Sequence, residues 1–166
     1  MNQSRSSLLG DLDVEVTLDA PIGSGTWFGI GGSADILASP RTESSLIELV
    51  TRCADHSVPV RVLGGGANLL VDDGGVDGVV VQLNHEHFKQ IRYTAKGDIT
   101  AACVGAGVNL FDLVQETKRR GLHGVEMMAG IPGSAGGGVR MNAGGAWGQL
   151  SDCLKTISIV SLDGTH

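Results

Sequence analysis

Aromatic residues are scarce in this chain: two tryptophans, one tyrosine and three phenylalanines make up 4% of 166 residues. A core must therefore be built from aliphatic side chains. Charged residues are also few, at 18%, and they lean negative, with a formal net charge of −6. No basic run exceeds Lys118-Arg119-Arg120, which excludes the electrostatic footprint of a nucleic-acid binder. A phosphorylated ligand would have to be held by local backbone donors or a few placed cations. The three cysteines, Cys53, Cys103 and Cys153, are odd in number and widely spaced. They form neither a disulfide framework nor a zinc pattern, and buried free thiols are expected. No apolar run approaches the length of a membrane span. Residues 1–11 lack the apolar segment of a signal peptide. These absences point to a cytoplasmic protein, and a hydrophobic content of 42% points to a globular one.

Glycine is the residue in excess. There are 26, and ten of them fall within residues 121–148. With only four prolines and no three-residue period, collagen is excluded. Glycine costs backbone entropy, so this density implies backbone packed closely against something.

Residues 1–20 read as a leading arm. An α/β rhythm starts after Trp27. Residues 34–38 suggest a short strand ended by Pro40, and Thr42 suits a helix cap. Leu46, Ile47, Val50, Cys53 and Ala54 then share a helical face. Residues 60–63 read as a buried strand running into Gly64-Gly65-Gly66, and 79–83 as another strand. This makes a first lobe over 21–88. A second lobe over 89–166 opens with strands near 89–93 and 99–104, joined through Lys96-Gly97-Asp98. Asn109 caps a helix whose inner face is Leu110, Leu113, Val114 and Thr117, with Gly121 as its stop. Residues 156–162 alternate as a strand should, and Asp163-Gly164 is a hairpin signal. A hairpin turn without a returning strand implies a cut chain or a covered edge.

Two glycine motifs stand out. In Gly64-Gly65-Gly66-Ala67-Asn68-Leu69, three glycines after a strand let backbone N–H groups turn toward one point and bind a diphosphate without lysine. The segment lacks the third glycine of a dinucleotide fingerprint and the Gly-Lys-Ser/Thr of a P-loop. An ordinary tight turn is the alternative. In Gly130-Ile131-Pro132-Gly133-Ser134-Ala135-Gly136-Gly137-Gly138, followed by Asn142, Ser134 is a natural helix cap. The bare glycine face suits a flat ring or, equally, a close-packed helix. Asp72-Asp73 and Asp77-Gly78 read as turns. Glu126 reads as a solvated carboxylate. His85, His87 and His123 lack ligand spacing, and no Ser/His/Asp arrangement is legible. Trp27, Phe28 and Trp147 read as packing residues.

Taken in order, five stretches resemble the UDP-N-acetylenolpyruvoylglucosamine reductase (UDP-N-acetylmuramate dehydrogenase) family: Thr26–Ala34, Val60–Val71, Gly74–Val80, Gly121–Glu126 and Gly130–Gly144. The resemblance covers roughly residues 20–166. It implies a two-lobed α/β FAD-binding fold of the vanillyl-alcohol-oxidase type, with the cofactor between the lobes. By this resemblance Gly64, Gly65, Gly66, Ala67, Asn68 and Leu69 hold the FAD diphosphate. Gly130, Ile131, Pro132, Gly133, Ser134, Gly136, Gly137 and Asn142 line the flavin and its ribityl chain. NADPH is the implied reductant, a UDP-sugar the implied substrate, and UDP-N-acetylmuramate for peptidoglycan the product. Ala67 stands where related oxidases carry a flavin-linking histidine, so the FAD is expected to be non-covalent. Gly29 stands where many members carry Arg or Lys. The family's Tyr-Arg-x-Ser segment, its Gly-Ser-Phe-Phe segment with the proton-donating serine, and its C-terminal glutamate have no counterpart. The substrate domain is therefore expected to be absent, with no catalytic residue present and the chain inactive alone. The alternatives are a non-catalytic flavin-binding module and the FAD lobe of another oxidase of the superfamily.

Overall fold

The most hydrophobic segments of the first half, around Ile36 and Val79–Val81, lie side by side in the middle of a four-stranded sheet. In the computed structural model, residues 8–96 and 99–161 are described. The chain divides into two compact units. One is Glu86–Ile157, and the other comprises the residues up to His85 together with those from Ser158 onward.

The sheet of the first unit is built from β1 (Val14–Ala20), β2 (Ala34–Pro40), β3 (Val60–Val62) and β4 (Val76–Val81). Their spatial order is β1-β2-β4-β3. β1 runs antiparallel to β2, while β4 is parallel to both β2 and β3. Residues 14–20, expected within an arm, thus form an edge strand. Val14 and Val16 pack against the core while Glu15 and Thr17 are exposed, the alternation of a half-buried strand.

One face of the sheet is covered by helix α1 (Glu43–Asp55). Thr42 caps it: its hydroxyl accepts from the Ser45 N–H while the Ser45 hydroxyl accepts from the Thr42 N–H, two orphan donors satisfied reciprocally. The buried face is Ser45, Leu49, Val50 and Cys53, with Leu46 half-buried. Leu49 belongs to it, whereas Ala54 is exposed. Leu9 reaches the same core at 1% exposure. Arg52 holds that segment down, donating to the Leu8 carbonyl at 2.9 Å and pairing with the carboxylates of Asp11 and Glu48.

Three local expectations are corrected here. β3 is an edge strand, not a buried one: Val62 is 65% exposed, and among the described residues only β4 flanks it. Asp77-Gly78 is not a free turn. Ala34 pairs with Val76 and Ile36 with Val79, so two steps along β2 match three along β4, and the pair lies in this irregularity of the ladder. Residues 156–161 form no strand and have no ladder partner among the described residues; Ile157 and Ile159 are exposed at 54% and 66%. Leu162, the Asp163-Gly164 turn and the Gly97-Asp98 tip lie outside the described residues.

The second unit contains the antiparallel pair β5 (Ile91–Lys96) and β6 (Ile99–Val104), and helices α2 (Leu110–Arg119) and α3 (Ala135–Met141). A short hairpin, β7 (Gly144–Gly145) with β8 (Gly148–Gln149), follows α3. Asn109 caps α2 by accepting from the Phe111 N–H at 2.8 Å. At the other end Leu122 N–H bonds to Thr117 O and Gly121 N–H to Lys118 O, with Gly121 at φ 66°, a Schellman stop. Val108, Leu110, Leu113 and Ala135 form the core, with Ile91, Val104 and Ile131 packed against it. The Arg120 guanidinium lies 4.3 Å from the Tyr93 ring centroid and ties the end of α2 to β5.

Leu9→Ala should lower the unfolding free energy by about 2–4 kcal/mol in a denaturant titration, the cost of emptying a buried leucine site. A change below about 0.5 kcal/mol would mean that residues 8–12 do not belong to the folded core.

Candidate functional site

β4 occupies the slot between β2 and β3 and runs parallel to both. The chain must therefore return from the C-terminal end of β3 to the N-terminal end of β4, a journey usually made by a helix. Here residues 63–75 make it as a loop. Leu63 and Val71 pin this loop to Ala20, Ile22, Ala34 and Val80, a cluster distinct from the one under α1. Ile22 belongs to the neighbouring loop, residues 21–33.

The two loops are joined backbone to backbone. Trp27 N–H donates to Gly66 O at 3.1 Å, Gly32 N–H to Asp72 O at 2.9 Å, and Val76 N–H to Ser33 O at 2.9 Å. No side chain fits between them. A Cβ on Gly32 would stand 2.6 Å from the Asp73 carbonyl oxygen, and one on Gly31 would overlap the Val71 carbonyl.

Among the described residues, the backbone N–H groups of Gly64, Gly65, Gly66, Ala67 and Asn68 have no acceptor. Gly66 is buried and left-handed at φ 67°, and a Cβ there would lie 3.0 Å from the Gly25 carbonyl oxygen. Gly65 is exposed and has no positive φ. No residue from Gly64 to Leu70 is charged. A run of unpaired donors around a left-handed residue is the backbone pattern of an anion nest. Leu63 anchors the loop at its start, donating to Val81 O at 2.9 Å. A diphosphate placed here would accept from donors that have no acceptor among the described residues. Trp27, Phe28, Ile30 and Leu70 are exposed by 59–71% in the same pair of loops, so Trp27 and Phe28 are not core residues of the first unit.

The second motif has the opposite chemistry. Ser134 caps α3 as its sequence implies, accepting from Gly137 N–H at 3.3 Å. The remaining first-turn donors are also used: Ala135 N–H bonds to Val108 O at 2.7 Å and Gly136 N–H to Ala106 O at 2.8 Å. A Cβ on Gly136 would lie 2.9 Å from that of Ala106, and one on Gly138 would lie 3.2 Å from Leu110 Cδ1. These two glycines serve close packing. Ile131 packs on the core, while Gly130 and Pro132 are exposed. What this motif presents outward is therefore a short stretch of bare backbone and a proline ring, without free donors from the helix end.

Glu126 is engaged within its own loop. Its carboxylate accepts from Gly124 N–H at 2.7 Å and meets His123 Nδ1 at 3.0 Å. Hydrogen bonds from its own N–H and from that of Gly124, then the His123 ring, hold its carboxyl below the usual carboxylate range. Of the cysteines only Cys53 is buried; Cys103 and Cys153 are exposed, contrary to the expectation of buried thiols. Burial pushes the Cys53 thiol up, and partial burial does the same to Cys153. No group of three metal-ligating side chains occurs among the described residues. None of their helices is long and apolar enough to cross a membrane.

Gly66→Ala should destabilise the chain by about 1–2 kcal/mol, since alanine must adopt the left-handed conformation; unchanged stability in urea would mean that the loop can rearrange. The lowered carboxyl of Glu126 contributes stability above the ordinary carboxylate range, which is lost as pH falls through its folded value. Glu126→Gln should therefore lower Tm at pH 7 and converge with the parent as pH falls through the folded-state value. A constant difference across that range would show that the charge is not the cause.

The family model for the FAD binding domain matches residues 34–166. The UDP-N-acetylenolpyruvoylglucosamine reductase of Desulfosudis oleivorans is 39% identical over 149 residues, 90% of this chain and 48% of that protein. The enzyme of the same name from Syntrophobacter fumaroxidans is 42% identical over 163 residues, 95% of this chain and 46% of that protein. The crystal structure of UDP-N-acetylenolpyruvylglucosamine reductase from Thermus caldophilus superposes with a TM-score of 0.64 at 40% identity, covering 84% of this chain and 46% of that one. Cholesterol oxidase from Brevibacterium sterolicum, at 23% identity, a TM-score of 0.62 and 81% of this chain, shares the fold alone. The chain spans about half the length of the curated relatives it matches. With the matching model covering most of its length, the chain belongs to the FAD-binding domain family, in the branch it shares with the UDP-N-acetylenolpyruvoylglucosamine reductases.

Proposed function

We propose that this chain holds FAD non-covalently as the flavin part of an NADPH-dependent reductase that converts UDP-N-acetylenolpyruvoylglucosamine to UDP-N-acetylmuramate for peptidoglycan. The functional regions are a first lobe over 21–88 and a second over 89–166, in the cytoplasm, with a UDP-sugar as substrate. The observation that carries the reading is the run of five N–H groups, Gly64 to Asn68, without an acceptor among the described residues. Gly64, Gly65, Gly66, Ala67, Asn68 and Leu69 take the diphosphate. Five donors can each point a partial positive charge at its oxygens without a lysine or arginine. Ala67 supplies no nucleophile, so nothing in this loop forms a bond to the flavin.

In the second unit Gly130, Ile131, Pro132, Gly133 and Ser134 face the flavin, with Gly136, Gly137 and Asn142 behind them. Gly130 and Gly133, at φ 83° and 122°, shape a surface of bare backbone on which a planar ring can lie. Ile131 is held by the core and keeps that surface in place. Bound FAD supplies a carrier for a hydride between the nicotinamide and the enolpyruvyl double bond. The residues of this chain bind and orient it.

The test is a pair of titrations with FAD and FMN. FAD should bind more tightly, because FMN lacks the diphosphate that the loop accepts, and equal affinities would remove the assignment of the loop. Gly65→Val should weaken FAD binding about tenfold or more while circular dichroism stays native, since Gly65 is exposed and needs no positive φ. Unchanged affinity with a native spectrum would make the loop an ordinary turn.

A further inference from the structure

Asn142 stands at the C-cap of α3 in the left-handed conformation, φ 46° and ψ 55°. Immediately after it, β7 and β8 pair over only two rungs, Gly144 with Gln149 and Gly145 with Gly148. The turn carries Ala146 and Trp147, and Trp147 is 90% exposed. A hairpin of two rungs with glycine at three of its four positions has little to hold it in one place.

The Asn142 side chain supplies what the ladder lacks. Ser151 N–H donates to its Oδ1 at 3.0 Å. A backbone N–H can only donate, so the atom facing it is oxygen and the other end of the amide is the NH2 group. That NH2 donates to Gln149 Oε1 at 3.0 Å, which fixes the orientation of the Gln149 amide in turn. Leu150 N–H bonds to Ala143 O at 2.8 Å, and Gln149 N–H to Asp152 Oδ2 at 2.9 Å. The helix end, both strands and the turn after them are thereby closed into one ring of bonds.

We propose that Asn142 is a positioning residue: its amide clasps Gln149 and the Ser151 backbone and fixes the hairpin that presents Trp147. Through Gly148, which lies against the Met127 side chain, that hairpin supports residues 130–134, the stretch assigned above to the flavin, without Asn142 touching the ring. The flavin half of this rests on the FAD reading above; the clasp does not.

The chain contains two tryptophans, so Trp27→Phe leaves Trp147 as the sole fluorophore, and every variant is made in that background. Asn142→Gly removes the amide while accepting the left-handed backbone. Gln149→Ala removes the other side of the clasp. Asn142→Asp conserves it: a carboxylate still accepts from Ser151 N–H, and Gln149 can turn its amide to donate. In the apo chain, Trp147 anisotropy should fall in Asn142→Gly and in Gln149→Ala, fall no further in the double variant, and stay at the parent value in Asn142→Asp at pH 8. FAD affinity should drop about tenfold in the first two alike and be retained in Asn142→Asp.

Additive losses would overturn the clasp. A loss of FAD affinity in Asn142→Gly with unchanged Trp147 anisotropy and a silent Gln149→Ala would make Asn142 a direct cofactor contact. If the parent chain itself bound no FAD, the FAD reading would fail while the anisotropy series still decided the clasp. If Asn142→Gly lost its circular dichroism, Gln149→Ala would decide it alone, since Gln149 is extended at φ −138° and ψ 162° and tolerates any residue.

Discussion

The first unit depends on one steric constraint: two loops must lie against each other with nothing but hydrogen bonds between their backbones. β4 fills a central slot that has to be reached from the far end of β3, and no helix makes the return. The loop that does so is confined by Leu63 and Val71 below and by residues 21–33 beside it. Glycines at 31 and 32 are the condition of that closeness, since a Cβ at either would enter the Val71 or Asp73 backbone. With the loop fixed at Leu63, Gly66 and Asp72, the N–H groups from Gly64 to Asn68 have no acceptor among the described residues.

The two glycine motifs look alike as letters and differ in what they do with their backbone. The first spends its glycines on a turn whose N–H groups have no acceptor among the described residues. The second spends Gly136 and Gly138 on letting α3 approach Ala106 and Leu110, and all of the first-turn donors of that helix are consumed inside the unit. The outward face of the second motif is Gly130 and Pro132, bare backbone and a proline ring.

What the sequence made legible was local chemistry. The caps Thr42, Asn109 and Ser134 and the stop at Gly121 stand where their residue types place them, because a cap needs only its next three neighbours. Pairing was harder to read. Residues 14–20 carry a weak alternation that becomes a strand beside β2, while residues 156–161 carry a stronger one and have no pairing neighbour among the described residues. Asp77-Gly78 has the letters of a turn and sits inside a ladder, because the strand on one side sets its fate. In the site, the glycine loop was visible as a nest or a turn, but the unpaired donors that favour the nest are a property of the surrounding loop. Gln149 gave no signal at all, since its role is defined by an asparagine across a hairpin.

The strand order also has a consequence for how the chain is made. β1, β2, α1 and β3 all leave the ribosome before β4, yet β4 is the strand that joins β2 to β3. Until residue 81 has emerged, β2 and β3 each present an open edge, and these edges can pair with another nascent chain. The glycine loop then has to be laid across the sheet in one conformation out of many, at an entropic cost that slows closure. The segment whose donors lack an acceptor among the described residues thus also carries an entropic cost of closure, and the interval between the synthesis of Val62 and the seating of Val81 is the one in which both edges stand open.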